Sequence, residues 1–142
     1  MPMNTTTRST LSSSLNRGAS KVLVVDDDQF QLDLSTELLK GLGFGDITCA
    51  NSGPAALQKI ANHPENFQLV LIDLHMPGMD GFQFMEGLAQ AGYKGALVIV
   101  SGQSDDVMRG ATLVAKLRRF TLLGALPKPL ERNALSRLLS QA

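Results

Sequence analysis

The acid run Asp26-Asp27-Asp28, a separate Asp73, Ser101 and Lys128 are the residues of this chain best suited to chemistry. Each ends or closely follows an apolar run. Val22-Leu23-Val24-Val25 leads into the acid run, Leu69-Val70-Leu71-Ile72 into Asp73, and Leu97-Val98-Ile99-Val100 into Ser101. Lys128 closely follows the run Thr121 to Leu126. Crowded carboxylates repel and raise one another's pKa unless something neutralises them. A hard divalent cation does so. Mg²⁺ commonly takes one or two carboxylates, waters and a phosphate oxygen. A carboxylate can act as the nucleophile in phosphoryl transfer, a reaction that needs mainly positioning and charge stabilisation. Lys128 can pair with a phosphoryl oxygen as a point charge. The Ser101 hydroxyl can donate to another. Gly102 leaves room for a donor or a water.

Taken singly, each residue has a plainer explanation. Asp at a strand end is usually a turn or helix cap, and Asp28 is best read as one. Asp105 and Asp106 favour a helix N-terminus through the dipole. His63 reads as a helix-end or loop residue. The chemical reading rests on coincidence in order: an acid pair after strand one, acid after three, hydroxyl after four, Lys after five.

Those strands must alternate with helices. Val22–Val25 suits a strand buried on both faces. Phe30, Leu34, Leu38 and Leu42 recur every four residues and predict a helix face, which Gly43 ends. Residues 47–50 form a second strand. Ser52 caps a helix carrying Leu57, Ile60 and Ala61, with Pro54 in its first turn. Residues 68–72 form the third strand. A turn-rich segment, Met76-Pro77-Gly78-Met79-Asp80-Gly81, precedes a helix with Phe82, Met85, Leu88 and Ala89. Residues 96–100 are the fourth strand. Ser104 caps a helix with Val107, Met108, Ala111, Val114 and Ala115. Residues 121–126 are the fifth strand, and 130–139 the last helix, using Leu135, Leu138 and Leu139. Alternating strands and helices predict an α/β fold with a parallel sheet covered on both faces. Right-handed crossovers bring the strand C-termini to one edge, where ligands bind in such folds.

The 142 residues fit one domain. Lys+Arg and Asp+Glu are 13 each, so there is no basic field for nucleic acid. The single Cys49 excludes an internal disulfide, and its strand-like flanks predict a small buried hydrophobe. No apolar run has the length of a membrane span, and the N-terminus lacks a signal peptide's apolar core. A cytoplasmic protein without membrane contact is expected. Residues 1–20, rich in Ser, Thr, Asn and Arg, are expected to be a flexible tail before a domain at 21–142. A regulatory arm and a cloning remnant are the alternatives.

Over residues 21–141 the chain resembles the response-regulator receiver domains of two-component systems. The motifs are Val-Leu-Val-Val-Asp26-Asp27-Asp28, Asp73-Leu-His-Met-Pro77-Gly78-Met-Asp80-Gly81, Val-Ile-Val-Ser101-Gly102 and Lys128-Pro129. The resemblance implies a flavodoxin-like (βα)5 sheet of order 2-1-3-4-5. It implies Asp73 as phosphoacceptor for a sensor histidine kinase or phosphotransfer protein. Mg²⁺ would be held by Asp27, Asp73, the His75 backbone carbonyl and, through water, Asp26. Ser101 and Lys128 would bind the phosphoryl group, and Lys128-Pro129 would be cis. Such a chain is a switch rather than an enzyme. Phosphorylation would shift the fourth helix, fifth strand and fifth helix, altering a surface for a partner, an output domain or a second copy. The segment from Ser101 to Pro129 is also similar to receivers fused to cyclic-di-GMP phosphodiesterase domains.

Three departures from the family matter. Ala125 stands where an aromatic switch residue is common. His75 and Gln103 occupy positions that tune acyl-phosphate lifetime. Ser101 and Lys128 lie 27 positions apart, which predicts a lengthened fourth helix over 107–120. Its cationic end, Lys116, Arg118 and Arg119, suits the dipole or a docking patch. Two other functions compete. An aspartyl-phosphate hydrolase would typically have a second Asp where His75 stands. A phosphorylation-independent interaction module would not need Asp27, Asp73, Ser101 and Lys128 together.

Overall fold

The computed structural model describes residues 16–73, 79, 81–101, 105–118 and 121–140. The strands are β1 (Lys21–Val25), β2 (Asp46–Ala50), β3 (Leu69–Asp73), β4 (Ala96–Ser101) and β5 (Thr121–Pro127). The helices are α1 (Gln29–Gly41), α2 (Gly53–Asn62), α3 (Gly81–Gln90), α4 (Asp105–Leu117) and α5 (Arg132–Leu139). The strands form one parallel sheet in the order β2-β1-β3-β4-β5. This is the expected flavodoxin-like α/β order.

Period-two alternation divides the core into two layers. Leu23, Val25, Val70, Ile72, Leu97 and Ile99 face α2, α3 and α4, meeting Ile60, Phe84, Leu88 and Ala115. Val22, Val24, Leu69, Leu71, Val98 and Val100 face α1 and α5, meeting Leu32, Leu39, Leu135 and Leu139. Parallel strands buried on both sides therefore read as unbroken apolar runs. Helix boundaries follow local chemistry. Asp28 caps α1 by accepting from the Phe30 N–H, and Ser52 caps α2 by accepting from the Ala55 N–H. Gly43 takes φ +103° after α1, a conformation glycine adopts cheaply. His63 is the C-cap of α2.

Four expectations are corrected. The buried stripe of α1 is Leu32, Ser35 and Leu39, while Phe30 is 68% exposed. Leu38 and Leu42 only pack at its margin. In α2, Ala56 and Ile60 are buried and Ala61 is exposed. Cys49 is exposed, because β2 is an edge strand; its Sγ meets Thr36 Oγ1 at 3.3 Å. The long interval from Ser101 to Lys128 is only partly helix. α4 ends at Leu117, and β5 carries an extra residue, Leu123, where pairing steps from Leu97–Leu122 to Val98–Gly124. That is a β-bulge on an edge strand, a common place for one. Ahead of β1, residues 16–20 make contacts of their own. Asn16 accepts from the Ala19 and Ser20 N–H groups, Ser20 is buried, and Arg17 Nη1 donates to the Leu42 carbonyl at 2.9 Å. Among the described residues no helix is long and apolar enough to cross a membrane.

Candidate functional site

The face parity of the strands positions the carboxylates. Asp26 continues the Val22–Val24 series and Asp73 ends the Leu69–Leu71 series, so both fall on the face covered by α1 and α5. Lys128 follows Leu126, which packs in the same layer. The Lys128-Pro129 bond is cis. Lys128 Nζ donates to Asp73 Oδ2 at 2.9 Å and to Asp26 Oδ2 at 3.1 Å. Asp26 Oδ1 accepts from the Asp28 N–H at 3.0 Å. Both Asp26 and Asp73 are buried, while Asp27 is exposed. One carboxylate oxygen from each of Asp26, Asp27 and Asp73 lies within 4.8 Å of the others.

The electrostatics follow from this crowding. Burial raises the Asp26 pKa, and the neighbouring Asp73 charge adds to it; the Asp28 N–H and Lys128 oppose. Burial alone would lower the Lys128 pKa, but its hydrogen bonds to Asp73 and Asp26 outweigh that and raise it. The ammonium is thus held charged between two carboxylates.

Of the residues expected from sequence, Asp26, Asp27, Asp73 and Lys128 come together. Ser101 ends β4 and pairs in register with Pro127, just before Lys128. His75 and Gln103 lie outside the described residues. Ala125 packs, partly buried, against the α2–α4 layer. In the cationic end of α4, Arg118 is engaged by α3: its Nε and Nη2 each lie 2.6 Å from a Glu86 carboxylate oxygen. Lys116 is exposed, and Arg119 lies outside the described residues. Gln31 and Ser35 of α1 were not singled out by sequence, yet they line a small cavity with Asp26 and Asp73. A polar residue inside the Leu32–Leu39 stripe was the available signal.

The family model for the response regulator receiver domain matches residues 22–140. This chain belongs to that family. Among curated receiver relatives, two-component response regulator ORR22 of Oryza sativa is 35% identical over 94 residues, 65% of this chain and 13% of that protein. The probable C4-dicarboxylate response regulator DctR of Priestia megaterium is 26% identical over 128 residues, 89% of this chain and 53% of that protein. The chain therefore spans only part of these relatives. Among solved receivers, a CheY-like domain from Methylobacillus flagellatus superposes with a TM-score of 0.72 at 27% identity, covering 86% of this chain and 97% of that one. A CheX–CheY–BeF₃–Mg²⁺ complex from Borrelia burgdorferi gives 0.74 at 24% identity, covering 84% and 86%.

Proposed function

We propose that this receiver accepts a phosphoryl group on Asp73 and that the modification switches a partner surface. The observation that carries this reading is the buried Asp73 carboxylate, 2.9 Å from Lys128 Nζ and clustered with Asp26 and Asp27. The donor set fits a hard divalent cation, being entirely carboxylate oxygen. Asp27 and Asp73 would hold Mg²⁺ directly, with Asp26 through water and the His75 carbonyl completing the protein ligands. When bound, the cation supplies the charge neutralisation that lets an anionic donor approach an anionic acceptor.

The chain's own residues do the rest. An Asp73 carboxylate oxygen attacks the phosphorus of a phosphohistidine on the donor protein. The P–N bond breaks, its electron pair stays on the imidazole nitrogen, and that nitrogen takes up a proton. Lys128 leaves Asp26 to pair with a phosphoryl oxygen, and the Ser101 hydroxyl donates to another. Hydrolysis by water releases inorganic phosphate and restores the carboxylate. His75 and Gln103 set how readily that water arrives. Moving Ser101 and Lys128 biases α4, β5 and α5, the face offered to an output domain, a partner or a second copy. LuxN of Vibrio campbellii, 32% identical over 126 residues, is a sensor kinase/phosphatase; this supports a donor of that class.

The test is incubation with acetyl phosphate and Mg²⁺, read by intact mass. Wild type should gain one phosphoryl group, and Asp73→Asn or wild type without Mg²⁺ should gain none. An unmodified wild type would favour a phosphorylation-independent interaction module.

A further inference from the structure

A small cavity of about 10 Å³ is lined by Asp26, Asp73, Gln31, Ser35, Val24 and Val100 among others. It has room for roughly one water. Asp26 and Asp73 supply its carboxylates, and Gln31 and Ser35 of α1 its other polar side chains. Ser35 is only 8% exposed and stands in the inward stripe between Leu32 and Leu39. Its hydroxyl makes no hydrogen bond to another described residue. No described side-chain N or O is both sealed from its surroundings and without a partner. The Ser35 hydroxyl is therefore not sealed off, and Ser35 is one of the polar residues lining the cavity. A serine there is not required by the helix, since alanine is the better helix former.

We infer that Ser35 is a positioning residue. With Gln31 it holds one water in this cavity against Asp26 and Asp73, and so orients the two carboxylates for a divalent cation. The donor and acceptor count balances. Water donates one hydrogen to each carboxylate and accepts one from the Ser35 hydroxyl and one from the Gln31 amide. Four polar partners are what a buried water takes at most. A group that orients a metal ligand contributes to affinity without touching the ion. This inference rests on the Mg²⁺ reading above and adds α1 to it.

The experiment measures Mg²⁺ affinity of the full chain by titration calorimetry for wild type and for Ser35→Ala, Ser35→Thr and Ser35→Val. Urea unfolding without metal is measured in parallel. Ser35→Ala should bind Mg²⁺ about tenfold more weakly, with an unfolding midpoint equal to or above that of wild type. Thr and Val have the same shape, so any crowding is common to both, and only Thr keeps the hydroxyl. Thr should bind more tightly than Val. Equal affinities for wild type and Ser35→Ala, or for Thr and Val, would overturn the positioning role alone. No Mg²⁺ binding by wild type would overturn the metal reading and this inference together.

Discussion

The Lys128 ammonium stands 2.9 Å from the Asp73 carboxylate, a contact that spans 55 positions of sequence. Its hydrogen bonds to Asp73 and Asp26 raise the lysine pKa above 10.5 in the fold, against the effect of burial. A raised lysine contributes stability that is fully present below its unfolded pKa. That stability is lost as pH rises through the higher folded value. Lys128→Met should be less stable than wild type near neutrality, and the gap should shrink as pH rises beyond the ordinary lysine value of 10.5. Urea midpoints across that rise test it; a gap that stays constant would show that the charge is not responsible.

Asp26 gives the opposite case at neutral pH. Burial and the Asp73 charge raise its pKa above 3.8. Its favourable contribution is present below the unfolded value and lost as pH rises through the folded one. Ionised Asp26 is then a cost, while an amide keeps the acceptor for the Asp28 N–H. Asp26→Asn should stabilise the metal-free protein by roughly 1 kcal/mol. Saturating Mg²⁺ should stabilise wild type more than the variant. Thermal or urea unfolding with and without Mg²⁺ checks both; a destabilised metal-free variant contradicts the argument.

The phase of α1 can be tested directly. Leu39 is fully buried against the sheet, and Phe30 is mostly exposed. Leu39→Ala should cost about 2–5 kcal/mol through lost burial and a cavity. Phe30→Ser should change stability by less than about 0.5 kcal/mol. Comparable losses at the two positions would place the helix face elsewhere.

Arg17 ties the segment before β1 to the end of α1 by donating to the Leu42 carbonyl, with its guanidinium 5.7 Å from the Phe44 ring centre. Arg17→Ala should cost about 1 kcal/mol, the scale of one hydrogen bond with some lost packing. Denaturant unfolding measures this; an unchanged midpoint would show that the Arg17 contact adds nothing to the fold.

Much of the architecture was legible because buried parallel strands leave continuous apolar runs, and each run here ends at a chemically distinct residue. The helix phase was less legible. Residues four apart drift by about 40° around a helix that turns about 100° per residue. The Phe30-Leu34-Leu38-Leu42 series therefore spirals away from a flat sheet. The packed stripe runs through Leu32 and Leu39 instead, and that misphasing concealed Ser35. The exposure of Cys49 is hidden for another reason: its flanks mark a strand, but only pairing shows that β2 has a single neighbour.

Local pattern is enough to say which groups arrive at the sheet's C-terminal edge. Strand order and right-handed crossovers leave little choice once Asp26, Asp27, Asp73, Ser101 and Lys128 follow their strands. How they meet depends on the packing of the whole fold. Pairing of β5 with a bulge at Leu123 sets where Lys128 emerges, and its ammonium comes to rest between Asp26 and Asp73. Packing of α1 brings Gln31 and Ser35 to the cavity that Asp26 and Asp73 also line. Local periodicity specifies elements and their ends. Distances between side chains more than fifty residues apart follow from how whole layers pack, which no local pattern records.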